Sequence, residues 1–274
     1  MRRRRFLPAS AAAYPVLGLL GLFFFLPFVW LIVASFTPHA NLGTVWFSTV
    51  SLDNFRYLFD NGYVKGFQNS LILGGTTMVL VIVLSCGAGY TLSRYHFRFK
   101  QTVMLLILFC TGLPILALVF PLYALYVRLN LVDSTAGVIF FFVASALPFN
   151  TWLMKNFLDS VSVDLEEAAW VDGCSTFGSF IRIVLPLSAP GIAVVGILSF
   201  IGAYTNFFVP FILYTSPDKF PASVQLFSFF GSYGQVDYGQ IAAYAMLYTL
   251  PAVVLYLFVS RIFVKGINVG GTKG

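Results

Sequence analysis

Five of the ten acidic residues in this 274-residue chain, Asp159, Asp164, Glu166, Glu167 and Asp172, fall in or just before the stretch LEEAAWVDGCSTFGSFIRIVLP, residues 165–186. Nothing nearby completes a metal or redox site. Cys86, Cys110 and Cys174 show no CxxC spacing, and His39 and His96 stand alone, so these carboxylates have neither ligand partners nor a catalytic base to work with. Their chemistry is that of a helix start and of charged contacts to another protein. Asp164 followed three residues later by Glu167 predicts a capping-box start, and Leu165 to Val171 fit about two helical turns favoured by Ala168 and Ala169. Gly173 offers a left-handed C-terminal cap, and Ser175 can cap a second helix over Thr176 to Leu185 before Pro186. A short rigid helix of this kind can sit in a partner's cleft and pass on its movement; it can equally lie as an amphipathic loop on a membrane surface. Periodicity alone leaves both readings open.

The elements that carry this segment are set by composition. With 59% hydrophobic, 18% aromatic and only 9% charged residues, the chain has far more apolar surface than a globular core can hide, and it reads as a membrane protein. Apolar runs long enough to cross hydrocarbon lie at about 12–36, 69–93, 102–127, 134–154, 188–213 and 241–264. They are too long and too continuously apolar for the alternating strands of a membrane barrel, so six helices are predicted. Arg2, Arg3, Arg4 and Arg5 precede the first run, which is too long for a cleaved signal and reads as an uncleaved anchor.

Lys and Arg fix the expected orientation. Twelve of them (Arg2–Arg5, Arg94, Arg98, Lys100, Lys155, Arg182, Arg261, Lys265 and Lys273) fall on the side of the N-terminus, against four (Arg56, Lys65, Arg128 and Lys219) on the other. The positive-inside bias therefore predicts cytoplasmic N- and C-termini and a cytoplasmic loop at 164–186. It also accounts for the net charge of +6 through topology and anionic lipid, without nucleic acid.

Several functions are excluded. There is no phosphate-binding G-x-x-x-x-G-K-[ST], no H-E-x-x-H and no G-x-S-x-G, and the loops are too short for an ATP-hydrolysing domain. None of the ten carboxylates falls in the middle of a predicted span, where ion-driven carriers keep ionisable groups. Energy for uphill transport would have to come from another subunit. Groups that could line a polar path are Asn150 and Trp152 in the fourth span, Tyr204, Thr205 and Asn206 in the fifth, and Tyr244 and Tyr248 in the sixth. Single Tyr and Trp residues also suit core packing or an interfacial belt. Pro114 and Pro121 should bend the third span. The outward loops, about 37–68 and 214–240, include an ordered-looking run with Pro217, Pro221, Gly231, Gly234 and Gly239.

Glu167-Ala168-Ala169, three residues, Gly173, nine residues, Ile183, one residue, then Leu185-Pro186 resembles the E-A-A-x3-G-x9-I-x-L-P signature of permease subunits of binding-protein-dependent ABC importers. Leu147-Pro148-Phe149, Trp152-Leu153 and Phe157 upstream, with Asn54-Phe55, Asn69-Ser70, Gly89-Tyr90 and Arg94, resemble landmarks of the sugar-importing branch, the one similar to the smaller maltose-importer permease. Ser162 stands where that branch often has Pro, Cys174 where Ala is usual, and Tyr204-Thr205-Asn206 where W-N-E or W-N-D is common.

The resemblance implies an all-α membrane protein of the type I importer permease (MetI-like) fold in the cell membrane. It implies that Glu166, Glu167, Ala168, Ala169, Asp172 and Gly173 form a coupling helix for a separate ATPase subunit, which binds ATP and Mg; this chain holds no cofactor and is not itself an enzyme. The implied partners are a second permease, two ATPase subunits and an extracytoplasmic solute-binding protein, which loop 214–240 would touch unless it only packs over the outer mouth. The implied cargo is a carbohydrate or carbohydrate-derived solute such as an oligosaccharide or amino sugar, with a glycerophosphodiester or polyol as alternative. A stand-alone carrier and a membrane scaffold are the competing classes, and the missing membrane-embedded acid and the docking signature argue against the former.

Overall fold

The computed structural model describes residues 9–38, 40–41, 50–112, 115–230 and 236–270. Arg2–Arg5, His39, Pro114, Gly231, Gly234 and Lys273 lie outside them. The described residues are helical with short connections, and no strand occurs among them. The helices are α1 (Ala9–Ser35), α2 (Asp53–Asp60), α3 (Val64–Arg94), α4 (Lys100–Thr111), α5 (Ile115–Arg128), α6 (Thr135–Asp159) and α7 (Asp164–Val171). A run of α8 (Thr176–Ser179), a π-helical turn (Phe180–Val184) and α9 (Leu185–Leu187) leads into α10 (Ala189–Tyr204), followed by α11 (Phe208–Leu213), α12 (Ala222–Ser228) and α13 (Tyr238–Gly270).

Four of these, α1, α3, α6 and α13, contain helices long and apolar enough to span a bilayer, and the bent pair Thr176–Leu187 plus Ala189–Tyr204 makes a fifth candidate. The expectation of six spans, the third bent at Pro114 and Pro121, changes in two places. The run 102–127 is divided between α4 and α5, in keeping with Gly112-Leu113-Pro114 in the sequence, since the residue before a proline disfavours helix. The run 188–213 ends its long helix at Tyr204, and α11 restarts after the break at 205–207. Pro121 is accommodated inside α5.

The chain forms two compact units, residues 1–64 with 226–250, and residues 65–225 with 251–274. In the first, Asn54 donates from Nδ2 to the carbonyls of Ser35 and Thr37, both at 3.0 Å, satisfying acceptors left free at the end of α1. Tyr63, Phe229 and Tyr244 pack as an aromatic cluster, with Tyr63 stacked on Phe229 at 4.7 Å. The side chains of α1 are almost all exposed from Tyr14 to Val29, as suits a helix whose apolar surface is solvated by lipid.

In the second unit, α3, α6 and α10 pack together around Val81, Met154, Leu158, Val184 and Val195. Lipid offers no hydrophobic gain for helix association, so close approach through small residues and polar links carries the packing. At Gly89 on α3, a Cβ would sit 3.1 Å from the Lys155 backbone nitrogen on α6. The landmark pair Asn69-Ser70 ties a distant loop: Asn69 Nδ2 donates to the carbonyls of Asp218 and Phe220 at 2.9 and 3.1 Å, and Ser70 Oγ accepts the Ala222 N–H at 2.9 Å.

Asp133 makes a second clasp on that loop. It has a left-handed φ of 58°, which Asp tolerates. Its Oδ1 accepts the Thr215 and Ser216 N–H groups at 3.0 Å, and its Oδ2 accepts Ser216 Oγ and Lys219 Nζ at 2.6 and 2.7 Å. These hydrogen bonds, Lys219 foremost and then Ser216, hold its carboxyl well below the usual range despite some desolvation. A depressed folded-state pKa stabilises above the ordinary value of about 3.9, and that contribution is lost only as pH falls through the lower folded value. Asp133→Asn removes the ion pair, and amide exchange over residues 214–219 is expected to rise about tenfold at neutral pH. Mass-spectrometric hydrogen exchange checks this; unchanged exchange would show that the clasp does not order the loop.

Candidate functional site

The segment that connects α6 to α10 is built as helix, glycine turn, helix, but α7 does not begin where the spacing suggests. The Val163 carbonyl already accepts from Glu166 and Glu167 N–H, and Ser162 Oγ accepts the Asp164 N–H at 3.3 Å. Asp164 is therefore within the first turn, and the expected Asp164–Glu167 capping box is not formed. A hydroxyl at position 162 supplies the acceptor instead.

The other end matches the expected cap. Gly173 has φ +85°, its N–H bonds to the Trp170 carbonyl, and the Cys174 N–H bonds to the Ala169 carbonyl. This is the paired Schellman arrangement, which satisfies two orphan carbonyls and turns the chain sharply. Ser175 Oγ accepts the Gly178 N–H at 3.1 Å, starting α8, and Trp170 Nε1 donates to Ser179 Oγ at 3.0 Å, locking α7 against the next turn. The second helix continues through the π turn to Leu187 and meets α10 at a bend of 76°, where Ser188 leads into Ala189-Pro190.

Helical spacing gives α7 two faces. Glu167, Ala168, Val171 and Asp172 are exposed, as is Gly173, and Leu165, Trp170 and Phe177 add exposed apolar surface around them. Ala169 and Glu166 point inward. Glu166 and the signature residue Ala169 thus depart from the expectation that all of the coupling residues 166–169, 172 and 173 face a partner. The Glu166 carboxylate is completely buried: Arg94 Nε donates to Oε1, and Tyr90 Oη donates to Oε2 at 2.7 Å. Arg94 also donates to the Val161 carbonyl at 2.9 Å, and neighbouring Ser93 donates to Asp159 Oδ1 at 2.6 Å. Two of the upstream landmarks, Tyr90 and Arg94, therefore converge on one buried acid 72 residues or more away in sequence.

A separate cavity of about 330 Å³, mostly apolar with a few polar side chains, lies between α3, α6 and α10. Among its lining residues are Thr77, Ser145, Phe149, Asn150, Ser199 and Asn206. Asn150 Nδ2 donates to the Ala146 carbonyl, but Asn150 Oδ1 and Thr77 Oγ1 are buried without a hydrogen-bond partner among the described residues. Such groups are costly to bury unsatisfied, and the two residues that carry them, Asn150 and Thr77, both line this cavity. Asn206 accepts the Val209 N–H through Oδ1, starting α11, and its carbonyl accepts from Ser223.

The other expected path residues go elsewhere. Tyr204 is fully buried and stacked on Phe200 at 5.1 Å, and Thr205 bonds back to the Ile201 carbonyl. Trp152 packs beside Phe149. Tyr244 is fully buried in the aromatic cluster of the first unit, and Tyr248 is half-buried in that unit. Tyr204 and Tyr244 are thus packing residues in this structure. Thr77, Ser145 and Ser199 were missed because one hydroxyl in an apolar helix carries no directional signal in sequence.

The family model described as "binding-protein-dependent transport system inner membrane component" matches residues 82–269, more than half of the chain. The chain belongs to this family. Among curated relatives, the permease is 33% identical over 264 residues to the arabinooligosaccharides transport system permease protein AraQ of Bacillus subtilis, covering 93% of each chain. It is 33% identical to the maltodextrin transport system permease protein MdxG of the same organism, covering 82% of this chain and 81% of that one. Among solved structures, a bacterial ABC transporter involved in import of the acidic polysaccharide alginate aligns with a TM-score of 0.68 at 17% identity, over 92% of this chain and 93% of that chain. That likeness bears on the fold, which is the all-helical, MetI-like permease fold. Membership of an inner-membrane family, with several apolar helices, makes the permease a multi-pass membrane protein.

Proposed function

We propose that the chain is one of two permease subunits of an ATP-driven importer for oligosaccharides, and that it docks on a separate ATPase subunit through α7. The observation that carries this reading is the outward face of α7, with Glu167, Ala168 and Asp172 exposed and Gly173 turning the chain beside them, in a family whose members serve binding-protein-dependent transport. The charge bias of the sequence supports a cytoplasmic side for α7 and both termini, where the ATPase subunit would bind ATP and Mg. The second permease completes the pathway, and an external binding protein delivers the solute. Relatives named for arabinooligosaccharides, maltodextrin and galactooligosaccharides favour a neutral oligosaccharide as cargo.

The cavity between α3, α6 and α10 is where such a solute would meet this subunit. Asn150, Thr77, Ser199 and Asn206 offer hydrogen-bonding groups and Phe149 offers a ring face; Thr77 and Asn150 lie near the middles of α3 and α6, Ser199 is within α10, and Asn206 is in the break that follows it. Replacing Asn150 with Leu together with Thr77 with Val removes two unsatisfied buried groups, so stability is expected to hold or rise. Uptake is expected to fall about tenfold through a higher half-saturation concentration or lower rate, because the site's polar contacts are gone. Unchanged uptake would take the cavity off the route.

Reconstitution tests the whole reading. Vesicles holding this chain, the second permease and the ATPase subunits should accumulate arabino-, malto- or galacto-oligosaccharide only with ATP inside the compartment that the ATPase faces and binding protein on the other side. Flux through the chain alone, driven by an ion gradient, would overturn it.

A further inference from the structure

The inward face of α7 has a partner that the docking reading leaves unexplained. Glu166 is fully buried and Arg94 is about nine-tenths buried, and the pair joins α7 to the end of α3. Both carboxylate oxygens are held, one by Arg94 and the other by Tyr90, so the Glu166 side chain has no free rotation. Arg94 takes hold of the α6–α7 linker as well, through the Val161 carbonyl.

The covalent paths out of α7 lead backwards to α6 and forwards, through Gly173, the π turn and the 76° bend, to α10. Neither reaches α3. On α3, Thr77, which lines the cavity, lies 17 residues before Arg94 on the same unbroken helix, about 25 Å along its axis. A displacement of α7 can reach that wall of the cavity indirectly through α6 and α10, which pack on α3, and directly through the Glu166 cluster.

We propose that Glu166, Arg94 and Tyr90 form the joint that transmits movement of α7 to α3, with Glu166 a positioning residue facing away from the ATPase subunit. The proposal rests on the docking reading of α7 and adds which helix is driven. A buried ion pair suits this use: breaking one partner leaves an uncompensated charge, so the two helices separate only at high cost and move as a body.

The test uses the assembled transporter in proteoliposomes, with its second permease, ATPase subunits and binding protein. Three quantities are read: ATPase subunit retained on purification, ATP hydrolysed, and oligosaccharide taken up per ATP. Glu166→Gln and Arg94→Gln are expected to retain the ATPase subunit and hydrolyse ATP while uptake per ATP falls about tenfold. Tyr90→Phe, which spares the ion pair, should lose about threefold, and Arg94→Lys should recover part of what Arg94→Gln loses.

Because a lone buried charge can prevent insertion, the double variant Arg94→Met with Glu166→Leu provides the decisive arm. Apolar replacement of a buried pair is often neutral for stability, so this variant should insert at wild-type amounts yet remain uncoupled. Wild-type uptake per ATP in the double variant overturns the proposal, as does loss of the ATPase subunit from Glu166→Gln, which would make Glu166 a docking contact. Glu167→Lys reports separately on the reading beneath: if it leaves ATPase retention and uptake intact, α7 is not the docking element.

Discussion

Gly173→Val is expected to abolish uptake while the protein still reaches the membrane in normal amount. The residue holds φ +85°, a conformation that costs an ordinary L-residue about 1–2 kcal/mol and is worse for a β-branched one. A Cβ added there meets nothing within 4 Å, so the effect is conformational and not steric. This distinction sets the order of a series. Asn, which tolerates left-handed φ, should stay near wild type; Ala should lie between; Val should lose both Schellman bonds and the turn that presents α7. Uptake measured in vesicles, normalised to the amount of inserted protein, checks the order. A Val variant as active as the Asn variant would show that the turn is dispensable.

Gly191→Ala should have the largest effect on folding. Gly191 lies in the first turn of α10 against Phe157 of α6, where an added Cβ would fall 2.6 Å from the Phe157 Cβ and closer still to its Cγ. Distances that short exceed the give of ordinary overpacking, which costs about 1–3 kcal/mol, so α6 and α10 must separate or the protein must fail to fold. Shortening the neighbour does not help, because its Cβ remains in every residue except glycine. Phe157→Ala in the Gly191→Ala background is therefore expected to leave the defect in place, whereas Phe157→Gly should relieve it in part. Thermal unfolding in detergent, followed by the monodisperse fraction, reads this directly, and a Gly191→Ala protein of wild-type stability would contradict the close contact.

Hydropathy made α1, α3, α6 and α13 legible from sequence, because a bilayer demands an unbroken apolar helix and few other structures produce one. It could not show that the run 102–127 is shared between α4 and α5, since apolarity continues past the end of α4 at Thr111. The glycine turn was legible because few residues other than Gly suit a left-handed cap. The helix start was not: an Asp–x–x–Glu spacing looks the same whether Asp precedes the helix or stands in its first turn, and the Ser162 hydroxyl decided it. The inward turn of Glu166 was beyond reach from the signature alone. Arg94 and Tyr90 are distant in the chain, and only packing of α3 beside α7 identifies them as its partners.

The five-residue π turn at Phe180–Val184 has a consequence for how this chain can vary in length. A π turn is wider than an α turn, so it holds slack that can be taken up by rewinding to ordinary α geometry. Loss of one residue between positions 180 and 184 can be absorbed in this way with the flanking residues kept in phase. The same loss inside α7 would turn everything beyond it by about 100°, exchanging the face that carries Glu167 for the one that carries Glu166. Insertions and deletions among family members should therefore be tolerated at the π turn and excluded from α7.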